Sequence, residues 1–221
     1  MLEQAQVAEA RRAHCADTPL LAIEGLTRRF GKRVVVESLD LSLEAGDRVA
    51  LCGPNGSGKT TILRCIAGTL LPTDGQIHVN GLPAGSIAAR YQIGASLSQD
   101  RSFYLRLSGR ANLLFFARLR SPSEREARAA VRAIEAELEL AFAGERVNRY
   151  SSGMLQQLGF ARALLGDPPL LLLDEPTRSL DIEARERLWR AIDRRSQSGV
   201  LIATHNEEDL ARCGARVDLT T

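Results

Sequence analysis

Eight consecutive residues, Gly53-Pro54-Asn55-Gly56-Ser57-Gly58-Lys59-Thr60, carry the spacing G-x-x-x-x-G-K-[ST] between an apolar strand pattern over Arg48 to Cys52 and a helical pattern over Thr61 to Ala67. Glycine tolerates positive φ, so such a segment can curl until several amide hydrogens converge on one anion, an approach that side chains would block. The spacing predicts a phosphate cradle for a nucleoside triphosphate. Lys59 would reach the β- and γ-phosphates, Thr60 would offer its hydroxyl to Mg²⁺, and the helix continuing through Thr61 would add the positive end of its dipole. A plain glycine-rich turn is the competing explanation, and the flanking strand and helix argue against it.

Asp174 and Glu175 directly follow the leucines Leu170 to Leu173. That order puts two carboxylates at the carboxyl end of a buried strand, where open α/β sheets bind ligands. There Asp174 would hold Mg²⁺ in its outer shell and Glu175 would polarise or deprotonate an attacking water, a role worth about 10²–10⁴ in rate. Alone, an Asp-Glu pair ahead of Pro176 is better explained as the start of a turn; with the phosphate cradle in the same chain it reads as chemistry.

The elements that must position these groups follow from the pattern. Leu20 to Leu26, Val34 to Val36 and Leu39 to Leu43 read as strands of a β layer flanking the core. Gly68 is placed to close the helix after the cradle, Pro72 to Gly75 turns, Gln76 to Val79 leads as a strand into the tight turn Asn80-Gly81, and Ile93 to Leu97 is a further strand. From Gln99 to about Leu165 the period becomes helical, with helices at Asn112 to Leu119, Glu124 to Leu140 and Gly153 to Leu165. Asp167-Pro168-Pro169 ends that lobe, because consecutive prolines cannot continue a helix. A helix over Ile182 to Arg195, a buried strand over Val200 to Thr204 and a short helix over Glu207 to Arg212 complete an α/β parallel core. The expected organisation is an N-terminal extension, 1–18, and one domain, 19–221, whose core takes about 19–98 and 166–221 and whose helical subdomain takes about 99–165.

The 221 residues suit one such domain. Lys and Arg (29) nearly balance Asp and Glu (27), a net charge of +2 that argues for neither a nucleic-acid binder nor a polybasic membrane anchor. The cysteines, at 15, 52, 65 and 213, lack C-x-x-C spacing and read as incidental thiols in a reducing compartment. No apolar run approaches a membrane span and the polar start, Met1 to Thr18, lacks a signal core, so the expected location is cytoplasmic.

Taken together, the motifs over residues 20 to 212 resemble the nucleotide-binding subunit of an ATP-binding cassette (ABC) transporter, in the family's order. The resemblance implies an α/β fold, a P-loop NTPase with a RecA-like parallel-sheet core, a flanking antiparallel β layer and an inserted helical subdomain. It implies ATP and Mg²⁺ as ligands. By the same resemblance Phe30 stacks on the adenine ring, Gln99 is the Q-loop glutamine that ligates Mg²⁺ or positions water, and Tyr150-Ser151-Ser152-Gly153-Met154 is the signature motif. Asp174 and Glu175 close the Walker B motif, Ser179-Leu180-Asp181 is the D-loop, and His205 is the switch histidine, hydrogen-bonded to the leaving phosphoryl group and bridging to Glu175. Each residue has a plainer reading: Phe30 as core, Gln99 as a polar loop residue, Ser151 and Ser152 as helix caps, His205 as structural.

In this family the signature anion site meets the γ-phosphate held by a second subunit, which implies a head-to-tail homodimer, or a heterodimer with a related ATPase. The sequence departs from the common Leu-Ser-Gly-Gly-Gln signature at Tyr150, Ser152 and Met154, and Ser152 in place of glycine bears on the hydrolysis rate. The stretch Asp100 to Arg110, with Asn112 and Phe115-Phe116, resembles exporters of the ABC-2 type, in which this region receives a coupling helix of an integral membrane permease. Packing of the helical lobe explains Phe115 and Phe116 equally well. With sixteen residues after His205, the C-terminal regulatory or cargo-binding domain that some family members append is not expected. An ABC ATPase acting on ribosomes or DNA, or a P-loop kinase, are the alternatives; nucleic acid is not an expected partner.

Overall fold

The computed structural model describes residues 18–97 and 103–219. Among the described residues, nine strands form two sheets. In the first, β1 (Leu21–Phe30), β2 (Arg33–Leu43), β4 (Asp74–Val79) and the two-residue β5 (Leu82–Pro83) run antiparallel in the order β2-β1-β4-β5. In the second, β6 (Ile93–Ser96), β7 (Leu170–Asp174), β8 (Gly199–Ala203), β3 (Arg48–Cys52) and β9 (Ala215–Asp218) run parallel, in the order β6-β7-β8-β3-β9. The carboxyl ends of β3, β7 and β8 therefore meet along one edge, and the cradle, the paired carboxylates and His205 leave from those three ends.

Side chains alternate across a strand, so a strand buried on both faces feeds two cores. Leu170 and Leu172 of β7 and Leu201 and Ala203 of β8 face one core, which they share with β1, β4 and helix α1 (Lys59–Ile66). Leu171 and Leu173, with Val200 and Ile202, face the other, which is built from α3 (Gly109–Arg120), α4 (Glu124–Glu137), α5 (Ser152–Leu164) and α6 (Ile182–Asp193). Two short helices, α2 (Ile87–Tyr91) and α7 (Glu207–Ala211), finish the set. No helix among the described residues is long and apolar enough to cross a membrane.

The elements differ from the sequence pattern in places. The two strands read at 34–36 and 39–43 are one, β2, interrupted by a left-handed Ser38 (φ 45) whose amide donates to Thr27 Oγ1 at 3.0 Å. The first strand continues past Leu26 to Phe30. Helix α3 begins at Gly109 rather than Asn112, and α4 ends at Glu137, followed by 3-10 turns at Ala141–Gly144 and Val147–Arg149. Helix α5 lies directly on the parallel sheet: a Cβ on Gly94 of β6 would overlap the Ala163 carbonyl, and one on Gly159 would stand 3.1 Å from Ser96 Oγ. The last helix of the expected helical lobe thus lies against the parallel sheet.

Candidate functional site

A cleft of about 890 Å³ opens at the shared edge of β3, β7 and β8. Six of the described helices (α2 to α7) begin with a side chain, from Ser86, Ser108, Ser123, Ser151, Asp181 and Asn206, that accepts a backbone N–H of the first turn. Helix α1 begins at Gly58 with no such side chain, so its first amides are left for an anion in the cleft. Gly58 takes φ 97, and a Cβ there would stand 2.8 Å from the Val35 carbonyl, so the tight wrap of β2 around the loop requires glycine. Lys59 is buried; its ammonium donates to the Gly53 and Pro54 carbonyls at 2.6 and 2.9 Å, which leaves a third N–H. Ser57 Oγ, in the same loop, is buried without a hydrogen-bond partner among the described residues.

Thr60 Oγ1 donates to Asp174 Oδ2 at 2.7 Å across a sequence distance of 114 residues. A hydroxyl and a single carboxylate are hard oxygen donors few in number, which fits Mg²⁺, an ion that keeps waters and phosphate oxygens for the remainder of its shell. Among the described residues no group of three or more His, Cys, Asp or Glu gathers as a dedicated metal cage.

Glu175 follows in the same strand exit with a left-handed backbone (φ 49), its amide donating to the Ala203 carbonyl at 2.7 Å. Its side chain is mostly buried, and Oε1 lies 2.7 Å from Nδ1 of the largely exposed His205. A carboxylate, a histidine, a buried lysine and a candidate Mg²⁺ pair thus line one cleft. That set can bind a polyphosphate, order a water and accept its proton.

Of the residues expected from the sequence, Phe30, Asn55, Gly56, Gly58, Lys59, Thr60, Thr61, Asp174, Glu175 and His205 line this cleft, while Gly53, Pro54 and Ser57 form the loop beneath it. Phe30 is 47% exposed at the rim, with the Arg28 guanidinium 4.4 Å from its ring centroid, so it is not a core residue. Gln99 lies outside the described residues.

Ser151, Ser152, Gly153 and Asp181 are not in the lining of the cleft. Ser151 caps α5, accepting the Met154 amide at 3.2 Å, and Asp181 caps α6, accepting the Ala184 amide at 2.7 Å. The two caps are joined: a Cβ on Gly153 would come 2.5 Å from the Ser179 carbonyl. Burial pushes the Tyr150 phenol up to about 12, and its hydroxyl donates to the Phe142 carbonyl at 3.0 Å.

Sequence reasoning missed Arg33, Arg178, Arg185 and Asn206, which also line the cleft. Arg178 and Asn206 each neighbour a recognised motif, and that adjacency is the signal that could have found them. It also missed Gln156 of α5, whose amide donates to the Glu175 and Pro176 carbonyls at 3.2 and 3.3 Å and joins α5 to the carboxylate turn.

A second surface lies at the start of α3. Buried Asn112 accepts the Tyr104 amide at 2.7 Å and donates to the Tyr104 carbonyl at 3.1 Å, pinning an exposed loop. Tyr104 and Phe115 stack edge-on at 5.2 Å and are both exposed, whereas Phe103 and Phe116 pack on the core beneath the Arg162 guanidinium. The aromatics therefore divide between an exposed pair and a packed pair.

A family model described as ABC transporter matches residues 36–178. The chain is 39% identical over 204 residues to the Nod factor export ATP-binding protein I of Rhizobium meliloti (strain 1021), covering 88% of this chain and 60% of that protein. It is 34% identical over 209 residues to the daunorubicin resistance ATP-binding protein DrrA3 of Streptomyces coeruleorubidus, covering 92% and 66%. The chain thus spans 60% to 66% of the length of these curated relatives. Among solved structures, an ATP binding subunit of an ABC transporter superposes with a TM-score of 0.82 at 28% identity, covering 90% of this chain and 85% of that one. A dimeric ATP-binding cassette in a post-hydrolysis state, bound to ADP and Pi, matches the fold with a TM-score of 0.82 at 23% identity, covering 90% and 94%.

Proposed function

Since the chain belongs to the ABC transporter family, we propose that it is the ATP-hydrolysing subunit of a membrane exporter. The observation that carries this reading is the Glu175–His205 contact of 2.7 Å on the same cleft as the Thr60–Asp174 pair. The names of the relatives, which speak of Nod factor export and daunorubicin resistance, favour export.

In the proposed reaction the open amides of α1 and the Lys59 ammonium bind the β- and γ-phosphates, and Phe30 at the rim takes the adenine face. Thr60 and Asp174 would hold Mg²⁺, which when bound neutralises charge that develops between the β- and γ-phosphates. Glu175 orients a water on the γ-phosphate and accepts its proton. His205 holds its Nδ1 2.7 Å from Glu175 and offers its other ring nitrogen, Nε2, to a phosphoryl oxygen. Gln99 contributes to water or metal placement.

Ser151, Ser152, Gly153 and Asp181 serve the nucleotide of a second subunit in a head-to-tail dimer; their position outside the cleft of their own chain supports that assignment. The exposed Tyr104 and Phe115 are the docking surface for an integral membrane permease, and the protein works on the cytoplasmic face of the membrane through it. The domain is taken as 19–221, preceded by an extension at 1–18.

Glu175→Gln tests the reading. Turnover should fall by about 10²–10⁴, and light scattering at saturating MgATP should find an ATP-bound dimer. A monomer with wild-type turnover would overturn the base assignment. A pull-down of this variant from gently solubilised host membranes with MgATP should recover a protein with several membrane spans; ribosomal proteins or nucleic acid instead would refute transport.

A further inference from the structure

Asp209 of α7 is fully buried, at 0% exposure, and does not line the cleft. Its two oxygens take three side-chain donors: Oδ1 accepts Trp189 Nε1 at 3.2 Å, and Oδ2 accepts Thr177 Oγ1 at 2.6 Å and Thr204 Oγ1 at 3.3 Å. Removing a carboxylate from water is costly, and such a group persists where several donors satisfy it. These donors come from segments of particular interest. Thr177 lies two residues beyond Glu175 on the exit of β7, and Thr204 lies immediately before His205 on the exit of β8.

We propose that Asp209 is a positioning residue for hydrolysis: it clamps the exits of β7 and β8 together and orients the Thr204 hydroxyl, so that Glu175 and His205 keep their mutual placement. The inference rests on the proposed role of Glu175 as base. Two further observations favour it. First, the Thr204 hydroxyl stands 3.3 Å from Asp209 Oδ2 and 3.5 Å from Glu175 Oε2 while accepting the Asn206 amide at 3.1 Å. One hydroxyl has one proton and can satisfy only one carboxylate at a time. Asp209, nearer and wholly desolvated, takes it, which leaves Glu175 Oε2 open for water. Second, Glu175 is a non-glycine residue at φ 49, a conformation that persists only when its surroundings over-determine it. The Ala203 carbonyl and Gln156 hold the turn at Glu175 and Pro176, and the Thr177–Asp209 bond holds it at the far end.

Asp209→Asn keeps the shape of the side chain and an acceptor for Trp189, but turns an N–H donor toward Thr177 and Thr204. The Thr204 proton then swings to Glu175 Oε2. With MgATP, kcat should fall about tenfold or more while KM stays within about twofold, because only the placement of the base changes. Thr204→Val, which cannot make the swing, should remove the sensitivity: adding Asp209→Asn to it should cost at most about twofold more. Wild-type kcat in Asp209→Asn would overturn the proposal, as would full multiplicative loss in the double variant, or a loss matched by the unfolded fraction in a thermal melt. Glu175→Gln measured alongside separates the two readings. If it keeps wild-type turnover, the base assignment fails and this inference with it; if it is inactive while Asp209→Asn turns over normally, the positioning role alone fails.

Discussion

Gly153→Ala adds one methyl group where the start of α5, proposed as the signature helix, meets the turn at Ser179, the proposed D-loop. The new Cβ would stand 2.5 Å from the Ser179 carbonyl oxygen, whereas ordinary contact begins at 3.4 Å, so the two segments must separate by 0.9 Å (3.4 − 2.5). The obstacle is backbone and cannot rotate aside as a side-chain end could. Ser179 already sits at φ 65, two residues before the Asp181 cap of α6, so the D-loop has little slack in which to absorb the displacement. Overpacking of this kind costs about 1–3 kcal/mol. Alanine regains about 0.5–1 kcal/mol of that through its better helix propensity. The net loss of about 1 kcal/mol leaves the domain folded. Turnover should suffer far more. In the proposed dimer both segments face the partner's nucleotide, and a misplacement of about 1 Å can cost about 10²-fold in rate. The assay compares binding of a fluorescent ATP analogue by the monomer with steady-state hydrolysis and a thermal melt on the same preparation. Affinity should hold, the melting temperature should drop slightly, and hydrolysis should fall about a hundredfold. Hydrolysis at the wild-type rate would refute this reasoning, as would a parallel loss of nucleotide affinity.

The Tyr150 phenol, pushed up to about 12 by burial, should make stability decline in alkali. Its folded pKa lies above the value of about 10 expected in the unfolded chain. The stabilisation from the neutral phenol is therefore full below pH 10 and is lost as pH rises toward 12. Tyr150→Phe should lose about 1 kcal/mol at neutral pH with the bond to Phe142, and urea melts should show this gap shrinking above pH 10; a gap that stays constant contradicts the assignment. Tyr104→Ala, at the half-exposed ring beside Phe115, should uncouple export while sparing ATP binding in reconstituted membranes; an equal loss of nucleotide affinity would count against docking there.

The candidate cleft was legible where its chemistry is local. An amide cradle needs glycines and a lysine at fixed spacing, so Gly53 to Thr60 announces itself, and the four leucines before Asp174 give a doubly buried strand its run of large apolar residues. What stayed hidden acts across long sequence distance or through special backbone. Asp209 is an ordinary acidic residue in a short helix until Thr177, 32 positions away, and Trp189, 20 positions away, are brought to it. Gln156 has no signal apart from the fold that carries it to the carbonyl of Glu175, 19 positions on. β2 reads as two strands because the left-handed Ser38 interrupts the alternation, while its bond to Thr27 ties β2 to β1 across the shift in register there. β9, Ala-Arg-Val-Asp, is too short and too exposed to stand out, and its pairing with β3 supplies what its composition does not.

The contact through Gln156 is one of several that α5 makes. Near its start, Gly153 abuts the Ser179 carbonyl and Gln156 holds the carbonyls of Glu175 and Pro176. Six residues later, about 9 Å along the axis, Arg162 lies over the rings of Phe103 and Phe116 and donates to the Ala95 carbonyl at 3.3 Å. One rigid helix thus touches both the turn that carries the proposed base and the packed rings beneath the surface proposed for the permease, Phe116 lying 5.2 Å from the exposed Phe115. An element whose position both sites can bias is a physical route for coupling between the two. If the proposed permease shifted α5 on docking, the shift would pull on the Glu175 turn through Gln156, and a movement of Glu175 would push back on the rings through Arg162. Because free-energy coupling is reciprocal, permease docking should alter ATP affinity by the same factor by which ATP alters docking.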